Sequence, residues 1–262
     1  MSVDSVKVRR DGAVGVIQLD RPGSYNALDG DMIRGLFEAV VKIRAMEGIR
    51  AVLLTGTGDF FCPGADIKWM TANEGRFSEA VDEVLAYLHA AQSRITRTGL
   101  PVVTAVNGIA AGGGLALAMV GDIVLAREDA RFVAAYTRIG LNPDGGLTFY
   151  LGRLLGVRRA LDLVLTNREL NATQAQEWGL VTRVLPKADF AAQAMAVAQE
   201  LAAGPTLALG RSRDLLYHSW NNGLEAQLER ETQHIVAATR TEDMRNGIKA
   251  FVEKRKPTFA GR

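Results

Sequence analysis

Three stretches of this chain carry residue types and spacings suited to carbonyl chemistry. Cys62-Pro63-Gly64-Ala65-Asp66 and Gly108-Ile-Ala-Ala-Gly112-Gly113-Gly114 are small-residue loops, each following an apolar run. Small residues let backbone N–H groups approach a ligand closely. The second loop opens a helix, whose first turn has donors without intrahelical partners and the helix dipole behind them. Two such donors converging on one oxygen would form an oxyanion hole. A pair of tight strand-to-helix turns with no ligand would show the same residues, and the loops alone leave both readings open. The third stretch, Gly140-Leu-Asn-Pro143-Asp144-Gly-Gly146, sets an acid between a proline and two turn-forming glycines. Taken by itself, Asp144 reads as the N-cap of a helix over Leu147–Leu155.

Other chemistries lack their residues. Gly108-x-x-x-Gly-Gly-Gly is neither the dinucleotide fingerprint nor the phosphate-binding GxxxxGK[ST] loop. His89, His218 and His234 lie far apart, and Cys62 is the single cysteine, so neither a cysteine-rich zinc site nor an internal disulfide is expected. No redox cofactor is implied either. Lys plus Arg number 31 against 29 Asp plus Glu, a net +2, and aromatics make up 6 %. That balance gives no footprint for nucleic acid. The composition, 48 % hydrophobic and 23 % charged, is that of a globular chain. No secretory h-region opens the sequence. The longest apolar stretch, Pro101 to Met119, is broken by Asn107, Gly108 and the glycine triplet, so no membrane span and a cytoplasmic location are expected. Cys62 has no evident base partner and reads as a small buried residue.

The elements that must position these loops follow from hydrophobic periodicity. Val6 to Leu19 reads as a hairpin about Asp11-Gly12. A helix opens near Asp29 and is closed by Gly48. Ala51–Thr55, Pro101–Val106, Asp122–Ala126 and Arg131–Val133 read as strands, the first three buried. Helices are expected over about Ser78–Thr96, Leu115–Met119 and Ala172–Trp178, the last capped by Asn171 and stopped by Gly179. Alternating strands and helices argue an α/β core. Beyond Gly152 the pattern is almost wholly helical, and the chain divides into a core over 1–200 and a helical extension over 201–262.

Taken in order, Arg21-Pro-x-x-x-Asn-Ala-Leu28, Phe61-Cys-x-Gly-Ala-Asp-Ile67, Pro101-Val-x-x-Ala-Val-Asn-Gly108, Ala111-Gly-Gly-Gly114, Gly121-Asp-Ile123, Ala130-Arg-Phe132, Gly140-Leu-x-Pro143, Glu177-Trp-Gly-Leu180 and Ala250-Phe-x-x-Lys-Arg255 resemble the enoyl-CoA hydratase/isomerase (crotonase) superfamily over essentially the whole chain. The resemblance implies a spiral of β-β-α units with a C-terminal helical trimerisation region. It also implies a homotrimer or dimer of trimers and an acyl-CoA thioester substrate. Coenzyme A would enter as part of that substrate and not as a cofactor. The family's oxyanion donors match the N–H groups of Ala65 and Gly113. Ser24, Ala27, Asp66 and Ile67 match positions near the CoA moiety, and Tyr136 lies among the substrate-facing positions.

Family hydratases use two glutamates. Ala116 and Tyr136 stand at those places here, and alanine and tyrosine cannot divide hydration between them as two carboxylates do. Isomerase branches of the family, the phenylacetate-pathway type among them, carry a lone acid at the position of Asp144. The resemblance therefore implies a single-base acyl-CoA isomerase, with Leu141, Leu147 and Phe149 expected to shield Asp144 from water. The 4-chlorobenzoyl-CoA dehalogenase branch also has an aspartate there, used as a nucleophile. The segments Leu155–Asn167 and Glu177–Val184 are similar to that branch, and His89 falls where it has a helper histidine. Tyr136 and Ala65, where that branch has aromatic residues of other kinds, depart from it. A hydratase-like protein without the glutamates and a silent acyl-CoA binder are the further alternatives. Tyr25 and Trp69 are expected either to line the acyl pocket or to pack. The tail Lys254-Arg255-Lys256 is expected to meet phosphates or to be solvated.

Overall fold

The computed structural model describes residues 5–262. Strands β1 (Val6–Asp11) and β2 (Val14–Leu19) form the expected hairpin. Its register pairs Asp11 with Val14, so the turn residues are Gly12 and Ala13, one position later than the sequence suggests. Gly12 takes the left-handed φ of 57° that this turn needs. Helix α1 (Gly30–Ala45) is capped by Asp29, whose carboxylate accepts from the Met32 N–H, and it ends before Gly48. Then come β3 (Ala51–Gly56), the short α2 (Ile67–Ala72), α3 (Phe77–Thr96), β4 (Val102–Val106), β5 (Ile109–Ala111), α4 (Gly113–Ala118), β6 (Ile123–Arg127) and β7 (Arg131–Val133). The remainder is α5 (Leu147–Thr166), β8 (Leu170–Asn171), α6 (Ala172–Trp178), β9 (Arg183–Leu185), α7 (Phe190–Ala203), α8 (Thr206–Ser219), α9 (Leu224–Ala238) and α10 (Glu242–Val252).

One sheet runs β1-β2-β3-β4-β6-β9, parallel throughout except for the β1–β2 hairpin. Parallel strands covered on both faces read as continuous apolar runs, and the two-residue alternation then sorts side chains between two cores. Val14, Val16, Ala51, Leu53, Val103, Ala105 and Leu125 pack against Phe190, Ala194, Ala198 and Ala202 of α7. On the opposite face Ile17, Leu19, Val52, Leu54, Val106 and Val124 join α1 and α3 in the larger core. A second sheet, β5-β7-β8, stands beyond the ends of β4 and β6.

Asn107 ties the exits of β3 and β4 together. Buried between them, its amide accepts from the Gly56 N–H at 3.1 Å and donates to the carbonyls of Gly56 and Gly58 at 3.0 and 2.7 Å. A buried amide with every group satisfied fixes geometry that apolar packing leaves loose. The chain leaves both strands at one edge, and the two glycine loops follow directly. The expected cap and stop of α6 are present: Asn171 forms a capping box with Gln174, and Gly179 ends the helix at a φ of 91°.

The second loop lies in one of the closest backbone approaches of the fold. A Cβ on Gly114 would lie 2.0 Å from the Cys62 carbonyl oxygen, whereas one on Gly152, in α5, would meet nothing within 4 Å. Gly114→Ala is expected to cost about 3 kcal/mol or more by forcing the backbone apart. Gly152→Ala should add about 0.5–1 kcal/mol through helix propensity. Urea midpoints at unchanged m-value test both.

Candidate active site

The loop after β3 is sewn in on both sides. The Cys62 N–H donates to the Ile109 carbonyl at 2.9 Å, and the Cys62 carbonyl accepts from Ala111 at 3.0 Å. On the other flank Leu28 donates to Gly64, and its carbonyl accepts from Asp66, both at 2.8 Å. The first loop thus lies as a short strand between Leu28 and β5. This pairing takes up the polar groups around Ala65. Among the described residues, neither the Ala65 N–H nor the Gly113 N–H has a partner within the protein. Gly113 is the first residue of α4, where an N–H is unpaired by helix geometry. Both residues line one cavity.

That cavity encloses about 280 Å³. Its wall is largely aliphatic and aromatic: Ile33 of α1, Trp69 and Met70 of α2, and Phe77, Val81, Val84, Leu85 and Leu88 of α3. Asp144 stands at its margin and is the single carboxylate among the lining residues described. The Tyr136 hydroxyl donates to Asp144 Oδ1 at 2.6 Å. Tyr136 is buried, and burial first, then the charge of Asp144, push its phenol far above the ordinary range. It therefore stays protonated and acts as a donor at any working pH.

The Asp144 side chain does not cap α5, as the sequence in isolation suggests. The N-cap position is Gly146, with no side-chain bond, and only the Asp144 backbone carbonyl meets the helix, accepting from Leu147 at 3.0 Å. Gly145 and Gly146 both take left-handed φ, 56° and 72°, which carries the chain into α5 without a cap and frees the carboxylate. The Gln92 amide of α3 holds the turn by donating to the Gly145 carbonyl at 2.8 Å. A Cβ on Gly145 would lie 3.0 Å from the Cβ of Ala116. The turn occupies the space into which a longer residue at 116 would extend.

A model of the enoyl-CoA hydratase/isomerase family matches residues 9–262. The chain belongs to that family. A 1,2-epoxyphenylacetyl-CoA isomerase of Escherichia coli is 36 % identical over 247 residues, 94 % of each chain. A Rhodobacter capsulatus protein named as a probable enoyl-CoA hydratase is 38 % identical over the full length of both. A 4-chlorobenzoyl coenzyme A dehalogenase of Arthrobacter is 32 % identical over 234 residues, 89 % of this chain and 85 % of that one. The crystal structure of a Mycobacterium abscessus enoyl-CoA hydratase/isomerase superposes with a TM-score of 0.94 at 34 % identity, covering 98 % of this chain and all of the other. The α/β fold with its C-terminal helices is the crotonase fold of the enoyl-CoA hydratase/isomerase family.

The other residues singled out in the sequence divide between the cavity and its surroundings. Asp66 caps α2, accepting from the N–H groups of Lys68 and Trp69, and receives Arg21 Nη2 at 3.1 Å. Ile67 is exposed at the cavity margin. Ser24 ends a turn of 3₁₀ helix, and the Ala27 carbonyl accepts from Arg21 Nη1 at 2.6 Å. Arg21 also pairs with Asp29 at 2.8 Å, so this one guanidinium joins the hairpin exit, the start of α1 and the first loop. Nothing local to Arg21 in the sequence signals this role, because its partners lie as far away as residue 66. Trp69 lines the cavity, while Tyr25 lies outside it against Phe60.

Phe149 is a correction. Expected beside Asp144, it packs on Tyr150 and Trp220 under the Arg153 guanidinium. Leu141 does line the cavity, and Leu147 is buried in the core behind the turn. His89 is exposed on α3 and absent from the cavity wall. In the tail, Arg255 pairs with Glu253 at 2.6 Å. Among the described residues, no group of three or more potential metal ligands gathers and no helix is long and apolar enough to cross a membrane.

Cys62 opens the first loop yet is fully buried, and burial pushes its thiol up to about 12. At pH 8 its thiolate fraction is then on the order of 10⁻⁴. Native protein at pH 8 should resist iodoacetamide for hours, whereas the guanidinium-unfolded chain should take up one carbamidomethyl group, read by intact mass.

Proposed function

We propose that the protein is an acyl-CoA isomerase that moves a double bond in an enoyl-CoA thioester with one aspartate base. The observation that carries this reading is that one carboxylate stands among the described residues lining the cavity. Asp144 faces the same space as the unpaired N–H groups of Ala65 and Gly113, while Ala116 and Tyr136 supply no second acid. In the proposed reaction the thioester oxygen sits between the two N–H donors, whose fixed dipoles stabilise negative charge as it develops. Asp144 removes a proton from C2 of a 3-enoyl thioester. The electron pair spreads into a dienolate, and the same carboxyl returns the proton at C4, leaving a 2-enoyl thioester. No water is consumed, so one base serves both steps. The apolar wall from α1, α2 and α3 accommodates the acyl group and keeps water from the carboxylate. Coenzyme A belongs to the substrate, with Ser24, Ala27, Asp66 and Ile67 placed along its path.

The test follows both mass and ultraviolet absorbance of 3-enoyl- and 2-enoyl-CoA in deuterated water. Double-bond migration with deuterium uptake should fall at least about a hundredfold in Asp144→Asn, with thioester binding retained. Gain of one water would make the protein a hydratase without the usual glutamates. A covalent adduct on Asp144 with a haloaryl-CoA would favour the dehalogenase alternative, which the exposed His89 does not support.

The same reading assigns the C-terminal helices to subunit contact in a cytoplasmic homotrimer or dimer of trimers. Leu216, Leu224, Phe251 and Val252 are each more than two-thirds exposed, an apolar surface of the kind that marks association. Sedimentation should give three or six times the 28.3 kDa chain mass, and Phe251→Glu should shift it toward the single chain.

A further inference from the structure

We propose that Tyr136 is a positioning residue for Asp144, its phenol holding the carboxylate by Oδ1 and leaving Oδ2 to exchange the substrate proton. The proposal rests on the isomerase reading for the reaction it serves. Its first support is geometric. A separation of 2.6 Å between a hydroxyl and a carboxylate oxygen is that of a charge-assisted hydrogen bond. Asp144 Oδ2 takes no hydrogen bond from any described residue. One oxygen is thus held and the other is open.

Both ends of this bond are anchored by backbone. Tyr136 follows Ala135, a non-glycine residue in the left-handed region at a φ of 61°. Such a conformation persists only where its surroundings impose it, and it recurs at functional sites. The Tyr136 N–H donates to Ala134 at 2.8 Å, and its carbonyl accepts from Leu141 at 3.1 Å. Asp144 is held from the other side by its own carbonyl at the start of α5 and by Gln92 on Gly145. The phenol therefore spans the two ends of one loop, and the carboxylate cannot turn without breaking it.

The donor is permanent, since burial and the adjacent negative charge keep the phenol protonated. Of the other ionisable groups nearby, Cys62 is neutral and buried. Arg138 lines the cavity and bonds the Asn167 carbonyl at 3.1 Å. The rest of the described wall does not ionise. Tyr136 gives up no proton in the reaction. It orients the group that does, by holding Oδ1 in one direction.

Tyr136→Phe keeps the ring that fills the core and removes the donor. The expected result is a kcat lower by about 10- to 100-fold, with KM within about twofold. The Asp144 carboxylate band, isolated by infrared difference against Asp144→Asn, should shift in the Phe background. That last readout needs no turnover. An unmoved band and an unchanged kcat in a variant with a wild-type melting curve would overturn the proposal and reduce Tyr136 to packing. Full turnover in Asp144→Asn would instead overturn the isomerase reading, and the infrared band would then judge the Tyr136–Asp144 bond separately.

Discussion

The Cys62 carbonyl is the contact on which the site depends. It accepts from Ala111, and it leaves no room for a side chain on Gly114. These two facts hold the loop after β3 against the loop after β5 at a separation set by bare backbone. Moving either loop outward by the width of a methyl group would break the Cys62–Ala110 bridge and separate the Ala65 and Gly113 N–H groups. Electrostatic stabilisation of an oxyanion depends on donors fixed before the charge appears. The satisfied amide of Asn107 on one side and the Arg21–Asp66–Asp29 cluster on the other supply that rigidity.

A second constraint is the exchange of a side chain for backbone. With alanine at 116, the turn at Gly145 packs against the helix that Gly113 opens. The adjacent Asp144 comes with it to the cavity margin. A carboxylate reached through a turn is less firmly fixed than one on a helix, and the Tyr136 phenol and the Gln92 amide hold this turn from two directions. The same residue types in another arrangement would leave Asp144 as a helix cap.

Much of this was legible in the chain itself. The helices α1, α3 and α6 and the strands β3, β4 and β6 follow from apolar period, caps and glycine stops, all of which are local. The small-residue loops stood out as either tight strand-to-helix turns or places of close backbone approach, and the sequence left both open. Helix α3 was legible over about Ser78–Thr96, but that does not say that Phe77, Val81, Val84 and Leu88 also border a cavity. Phe149 was misplaced for a related reason: its nearness to Asp144 in sequence was read as nearness in space, whereas the first turn of α5 points it toward Trp220.

By itself, then, the sequence determined the alternation of strands and helices, the two loops able to bring N–H donors together and the lack of paired glutamates. Tertiary structure alone decided that Asp144 faces the cavity and not the end of a helix, that Tyr136 is its hydrogen-bond donor, and that Arg21 links three segments of chain. The physical reason is range. Periodicity, caps and turns act over a few residues, and the chain records them directly. The direction of a carboxylate depends on which distant backbone atoms occupy the space around it, here those between Ala116, Gln92 and Gly145.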